Sequence, residues 1–259
     1  MTEFEIAQAA ADAGAARLMQ TFGHDHSARA KSGVDLVTDA DLQSEQIIAG
    51  IIREAFPDDE ILGEEGHAAD VTADRLWIID PLDGTTNYAH GIPHFAVSIA
   101  FYEGGRPQCG VVLNPARGDR YTVIAGEGAY HNGQRAQVSP AKSLGEVLVG
   151  VGFYYDRGAM MEATLAAVHA LFKQQIHGIR RFGTAALDLC QVGMGWYGAF
   201  FEYQLSPWDF AAGRLFVEEA GGRVTTCRGE DVPLEKTSIL ASNTHLHEAV
   251  LEIVGRLHP

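Results

Sequence analysis

The chain has 259 residues, with 34 Asp and Glu against 19 Lys and Arg, and a formal net charge of −15. Apolar residues at 46% and charged residues at 20% describe a globular protein and argue against a disordered one. The acidic balance also argues against a nucleic-acid scaffold and against docking on an anionic membrane, because both draw their affinity from Lys and Arg.

Residues 3–22 carry apolar positions at helical spacing (Phe4, Ala7, Ala11, Ala15, Leu18, Phe22) and predict an amphipathic helix. The acids Glu3, Glu5 and Asp12 stand where a signal peptide would be basic and then apolar. Residues 23–33 are polar and read as a mobile stretch. A second helix is expected over 42–55, stopped at Phe56-Pro57. Residues 76–80 form a short apolar run typical of a buried strand. Segments 95–102, 107–114 and 119–125 follow as strands joined by Gly-rich turns, and 127–133 reads as a further hairpin end. The densest apolar stretch, 95–101, is too short to cross a bilayer.

After about residue 140 the pattern changes. Strand-like segments (147–152, 176–180, 198–203, 237–241) alternate with helical ones (158–174, 185–194, 208–220, 245–257), as in an α/β arrangement. The expected fold is therefore α/β in class, in two closely packed halves. Residues 1–140 form an α+β half, with two helices against an antiparallel meander. Residues 141–259 form an α/β half. The cysteines Cys109, Cys190 and Cys227 are odd in number, far apart and form no CxxC pair, which fits a reducing cytoplasm.

The chemistry lies in the acids. Six of them (Asp58, Asp59, Glu60, Glu64, Glu65, Asp70) crowd 13 residues, with no Lys or Arg between Arg53 and Arg75. Asp58, Asp59 and Glu60 read as solvated surface. Asp80 ends the apolar strand, Pro81 fixes its exit, and Asp83 follows ahead of Gly84. Two carboxylates at the end of a buried strand are costly unless a cation is near, and a hard divalent ion with oxygen ligands would satisfy both. The simpler reading is that Asp83 caps a helix beginning at Gly84. Ser206-Pro207-Trp208-Asp209 opens another helix, where Asp209 fits a capping-box acid. Glu202 lies just before it on an apolar strand. Arg180-Arg181-Phe182-Gly183-Thr184-Ala185-Ala186 is a small-residue turn into a helix with Thr184 as its expected cap, and such helix starts bind phosphate. Each motif alone is also compatible with an ordinary capped helix. His90 and His94 read as surface bystanders.

Together these motifs resemble the inositol monophosphatase family of magnesium-dependent, lithium-sensitive phosphatases. Val34-Asp35-Leu36-Val37-Thr38-Asp39-Ala40-Asp41 is similar to its N-terminal motif and Gly63-Glu64-Glu65-Gly66 to its GEE motif. Asp80-Pro81-Leu82-Asp83-Gly84-Thr85-Thr86-Asn87 matches DPxDGTxN. Trp208-Asp209 through Glu219-Ala220-Gly221-Gly222 matches WDxAAGxxxxxEAGG.

The resemblance implies an alternating α/β/α/β/α sandwich. It implies two Mg²⁺ ions, with a third, weaker one in the wider pattern. The first would be held by Glu64, Asp80 and the Leu82 carbonyl, the second by Asp80, Asp83 and Asp209, and the third would share Glu64. Thr85 paired with Asp41 would orient the attacking water, so that Glu64, Thr85 and Asp41 carry the catalysis. The N–H groups of Gly84 and Thr85 would cradle the phosphate, while Asp83, Ala185, Glu202 and Asp209 face the substrate's hydroxyls.

The implied activity is hydrolysis of a small phosphate monoester, inositol monophosphate or a sugar phosphate, by a cytoplasmic homodimer without nucleic-acid or membrane partners. Histidinol phosphate, fructose 1,6-bisphosphate and 3′-phosphoadenosine 5′-phosphate stay open as substrates, as does a non-catalytic regulatory role. Two departures stand out. The interval from Glu64 to Asp80 is short, which implies a trimmed lid, and Trp196 and Gly198 replace the Arg and Asp of many bacterial relatives.

Overall fold

Thr2 opens the first helix. Its hydroxyl accepts from Glu5 N while the Glu5 carboxylate accepts from Thr2 N. Helix α1 then runs Glu3–Thr21 and buries one stripe of small and branched side chains from Ile6 to Leu18. The computed structural model describes residues 1–23, 29–32 and 35–259. Residues 24–28 and 33 of the stretch expected to be mobile, and Val34 of the N-terminal motif, lie outside the described residues. The rest of that region is more regular than expected: strand β1 (Arg29–Ser32) pairs antiparallel with β2 (Asp35–Val37). Helix α2 (Asp39–Ala55) begins three residues earlier than the apolar periodicity indicates. Thr38 caps it, and Asp41 accepts from Thr38 N at 2.9 Å.

Strand β3 (Glu60–Gly63) was hidden by its acidic flank. It pairs in parallel with β4 (Arg75–Asp83), the one parallel pair in a sheet otherwise antiparallel. Asp59, expected at the solvated surface, has a largely covered side chain instead. Its carboxylate accepts from Arg75 Nε at 2.7 Å and from Trp77 Nε1 at 2.8 Å. Pro81 does not end β4 either. The strand continues to Asp83 with an irregular register between Asp80 and Asp83 opposite the next strand, and such irregularities re-aim side chains. A short helix, α3 (Thr85–Ala89), follows. The meander then completes a seven-stranded sheet: β5 (Ala96–Glu103), β6 (Arg106–Asn114), β7 (Asp119–Ile124), β8 (Gly128–His131) and β9 (Gln134–Arg135).

The second half supplies β10 (Leu148–Val151), α4 (Ala159–Lys173), β11 (Gly178–Arg180), α5 (Ala185–Gly193), β12 (Ala199–Leu205) and α6 (Pro207–Glu219). It ends with β13 (Gly222–Thr225), β14 (Thr237–Asn243) and α7 (His247–Leu257). Its sheet runs β11-β10-β12-β14-β13, with the first three strands parallel and the last two pairings antiparallel.

Four apolar cores stack these elements into five layers. The α1–α2 pair covers one face of the large sheet through Leu18, Ile48, Trp77 and Ile99. Helices α5 and α6 cover its other face through Leu187, Cys190, Leu215 and Phe216. The same two helices bury their far side on the small sheet through Leu189, Phe200, Phe210 and Ile239. Helices α4 and α7 close the stack over Leu171, Phe201 and Val250. The result is the α/β/α/β/α sandwich that the resemblance implies. Its middle layer brings the first turns of α5 and α6 to the C-terminal end of β4. At Gly198, which departs from the Asp of many bacterial relatives, a Cβ would lie 2.6 Å from Val147 Cβ, so the close approach of the two segments requires glycine. Trp196 is about half exposed and sets its ring edge-on to His131.

Candidate active site

Nine of the ten residues singled out from the sequence line one cavity of about 300 Å³: Glu64, Asp80, Leu82, Asp83, Gly84, Thr85, Ala185, Glu202 and Asp209. They arrive from the loop after β3, the end of β4, the starts of α3, α5 and α6, and strand β12. The tenth, Asp41, stands behind the wall and is reached through Thr85. Thr85 Oγ1 lies 3.0 Å from Asp41 Oδ1 and 3.1 Å from the Leu82 carbonyl. Its single proton serves one of these acceptors at a time.

Local rules explain the geometry. Gly84 has φ +90°, and a Cβ there would also meet Thr184 Oγ1 at 2.9 Å, so the turn from β4 into α3 requires glycine. Asn87 then ties the turn to the other half of the chain, donating to His94 O and Phe182 O at 2.7 Å each. Thr184 occupies the cap position of α5, yet its hydroxyl donates to His94 O instead. The cap comes from outside: Asp83 Oδ2 accepts from Ala186 N at 2.8 Å. Asp209 fulfils its capping expectation, accepting from Ser206 N at 2.6 Å, while lining the cavity. His94 is no surface bystander. It is half-buried against Phe182, its Nε2 has no partner among the described residues, and burial lowers its pKa to about 4.

The cavity floor is electrostatically uncomfortable. Burial, followed by the charges of Glu64, Asp83 and Asp209, pushes the Asp80 carboxyl well above its ordinary range. Asp83 is raised by burial and by Asp209, against the N–H of Ala186. Glu202 is raised by burial, Asp209 and Asp188. Asp41 is raised to about 6 by burial, with hydrogen bonds from Thr38 and Thr85 opposing.

The donor set at the end of β4 is carboxylate and carbonyl oxygen, the chemistry that Mg²⁺ prefers. Among the described residues no three acidic, histidine or cysteine side chains close into a ready ligand group. A divalent cation among these carboxylates would offset their mutual repulsion. The residues therefore fit the ions that the resemblance implies.

Sequence reasoning missed four supports. Glu45 on α2 accepts from Glu65 N at 2.8 Å, Gly66 N at 2.7 Å and His67 Nδ1 at 2.8 Å, so it fixes the loop bearing Glu64. Its signal was a lone acid on the apolar face of a predicted helix. Asp188 and Arg181 also line the cavity, and Gly152 lies against Glu202. Arg181 stands inside the small-residue turn from Arg180 to Ala186 with no role assigned to it by the sequence, and no pattern in the chain joins Asp188 or Gly152 to the motifs.

The chain matches the inositol monophosphatase family over residues 1–258. It is 45% identical over 233 residues to a protein from Pseudomonas aeruginosa named Nus factor SuhB, covering 88% of this chain and 86% of that one. It is 40% identical over 231 residues to an inositol-1-monophosphatase from Rhizobium meliloti, covering 88% and 86%. The solved inositol monophosphatase from Anabaena superposes with a TM-score of 0.87 at 37% identity, covering 98% of this chain and 95% of that one. Fold, site geometry and these likenesses agree that the chain belongs to the inositol monophosphatase family.

Proposed function

We propose that the chain is a Mg²⁺-dependent phosphate monoester hydrolase whose first substrate is inositol monophosphate. The observation that carries this reading is the single cavity in which Glu64, Asp80, Asp83 and Asp209 meet, backed by the Thr85–Asp41 hydrogen bond. Glu64, Asp80 and the Leu82 carbonyl would hold one Mg²⁺. Asp80, Asp83 and Asp209 would hold a second, and Glu64 would share a third, weaker ion. When bound, the ions neutralise phosphate charge and make water a stronger nucleophile.

The chain's own residues do the positioning. Thr85 donates its hydroxyl hydrogen bond to Asp41 and so turns its lone pairs toward the water that attacks. The N–H groups of Gly84 and Thr85 receive the phosphate oxygens. Asp83, Ala185, Glu202 and Asp209 meet the hydroxyls of the alcohol half. No serine, cysteine or histidine nucleophile is needed. The two halves, divided near residue 140, act as one catalytic unit, because Asp83 of one half caps α5 of the other.

A cytoplasmic setting is supported by three buried free cysteines among the described residues, and no described helix is long and apolar enough to cross a membrane. A homodimer is the assembly that the resemblance implies, and sedimentation analysis tests it. Fructose 1,6-bisphosphate and other small phosphates compete as substrates. The relative named Nus factor SuhB supports a second reading, a regulatory role that leaves catalysis aside.

The deciding measurement is phosphate release from inositol 1-phosphate with and without Mg²⁺, for the wild type and for Asp209→Asn. Asparagine keeps an oxygen for Ser206 N and loses the charge. Release that needs Mg²⁺ and disappears in the variant supports the reading, and Li⁺ is expected to inhibit it. A wild type that releases nothing from any small monoester sinks it. A regulatory effect that survives in Asp209→Asn would favour the second reading.

A further inference from the structure

Helix α2 buries one stripe of side chains, and the stripe changes character along its length. Asp41, Ser44, Glu45, Ile48, Ala49 and Ile52 share one face at helical spacing. Ile48, Ala49 and Ile52 belong to the apolar core against the large sheet. Asp41, Ser44 and Glu45 are polar, yet only 1%, 0% and 2% exposed. Polar groups buried this deeply are held by partners, and each of these three reaches a different segment of the cavity wall. Asp41 meets Thr85 at the start of α3. Ser44 Oγ donates to the Pro81 carbonyl on β4 at 3.1 Å. Glu45 accepts from the loop after β3.

The Ser44 and Glu45 contacts both act on backbone that carries the expected metal ligands. The Pro81 carbonyl and the Leu82 N–H belong to one rigid peptide unit. The carbonyl accepts from Ser44, and the N–H donates to Asp80 Oδ1 at 3.0 Å. Ser44 therefore sets the plane that aims the Asp80 carboxylate. Glu45 acts on the other segment. A Cβ at position 63 would lie 2.5 Å from Glu45 Oε2, so glycine lets the loop wrap the carboxylate. The loop closes on itself where Gly63 N donates to His67 O at 2.8 Å. Glu64 sits inside that closed turn and lines the cavity. Ligands oriented before a metal arrives bind it more tightly, because less ordering remains to be done on binding.

We propose that Ser44 and Glu45 are positioning residues of the cation site. Glu45 presets the Glu64 loop for the first ion, and Ser44 presets Asp80, which the two ions share. The proposal rests on the hydrolase reading for the identity of the ions as Mg²⁺, and on the α2 contacts alone for the positioning.

Calorimetric titration with Mg²⁺, without substrate, tests it. Asp209→Asn removes a ligand of the second ion, so its titration reads the first. Glu64→Gln leaves the second ion to be read. Each is combined with Glu45→Gln, which keeps one acceptor oxygen and turns an NH₂ group on the loop's donors, or with Ser44→Ala, which removes a single hydroxyl. Glu45→Gln is expected to weaken Mg²⁺ binding about tenfold in Asp209→Asn and less than about twofold in Glu64→Gln. Ser44→Ala is expected to weaken it about tenfold in both, the low end for a group that orients a metal ligand. Melting of the metal-free proteins is followed alongside. Variants that melt lower but bind Mg²⁺ as tightly as their parents overturn the proposal, and so does equal weakening by Glu45→Gln in both backgrounds. Should Glu45→Gln fail to fold, Ser44→Ala decides alone, and unchanged affinity there overturns the proposal. Phosphate release from inositol 1-phosphate by the wild type keeps the two readings apart. The expected binding pattern without release supports the positioning and sinks the hydrolase. Release with Mg²⁺ affinity unchanged in both variants does the opposite.

Discussion

Two buried polar clusters in this molecule are built on opposite terms. At the start of α7, His247 is fully buried between Thr225 Oγ1, 3.0 Å from Nε2, and Ser242 Oγ, 2.8 Å from Nδ1. Each ring nitrogen has a hydroxyl, and the ring remains neutral because burial lowers its pKa to about 4. Asp80 and Asp83 at the end of β4 and Glu202 on β12 are also buried, but their neighbours include further carboxylates. A cluster satisfied by its own partners contributes stability. A cluster of like charges costs stability until a ligand of opposite charge arrives. The difference marks the second cluster as the one with work to do on something outside the chain.

The strongest way to break this comparison is Asp83→Asn. Asparagine can still accept from Ala186 N, so the cap on α5 survives while one charge leaves the floor. Activity on inositol 1-phosphate is expected to fall about 10³-fold, as when a group stabilising transition-state charge is removed. The metal-free variant should at the same time unfold at a higher temperature than the metal-free wild type, and Mg²⁺ should raise the melting temperature of the wild type more than that of the variant, which keeps the ligands of the first ion. A lower metal-free melting temperature would mean that the floor is not held under repulsion.

Thr85→Val comes next. It removes the hydroxyl that links the cavity to Asp41 and should lower kcat about 10²-fold. Adding Asp41→Asn should cost little more, because the two groups act through one hydrogen bond. Additive losses would separate Asp41 from the reaction.

Gly152→Ala probes the substrate side with a smaller effect. A Cβ at 152 would lie 1.7 Å from Glu202 Oε2, so the carboxylate must turn away. The expected result is a KM for inositol 1-phosphate raised about tenfold, the value of one hydrogen bond to a charged group, with Mg²⁺ stabilisation unchanged.

Much of the floor could be read from the chain because its acids sit in short runs whose local structure is stereotyped. Asp80 and Asp83 bracket a proline at a strand end, and Asp209 stands three residues after a Ser-Pro helix start. Helices α4 to α7 were legible for the same reason, since apolar periodicity and caps are local. What escaped depends on contacts between distant segments. The edge strands β3 and β13 are four residues each, too short to show a period. Asp59 looked solvated because its partners, Arg75 and Trp77, lie on the neighbouring strand. Thr184 looked like a cap because its true competitor, Asp83, is 101 positions away. Ser44 left no motif at all, since the carbonyl it meets lies on a strand 37 positions away.

The His247 cluster gives the smallest effect on activity and the sharpest contrast in pH. His247→Gln keeps one donor and one acceptor for Thr225 and Ser242 but cannot titrate. It should cost about 1–2 kcal/mol at pH 7.5 through poorer geometry and leave kcat/KM within about twofold. In the wild type, the unfolded histidine takes up a proton near pH 6.5, while the folded one resists until about pH 4. Between those values the unfolded state binds more protons, so this group's contribution is complete above pH 6.5 and is lost as pH falls toward 4. The loss is about 3 kcal/mol over the whole window. The floor works in the other direction. Its carboxyls are raised, so the folded metal-free protein binds protons more readily than the unfolded one and gains stability as pH falls from 7 toward 5. Melting temperatures of the metal-free wild type, Asp83→Asn and His247→Gln across pH 5 to 7.5 resolve the two contributions. His247→Gln should steepen the gain on acidification and Asp83→Asn should flatten it. Parallel curves for all three would mean that neither cluster titrates in this range.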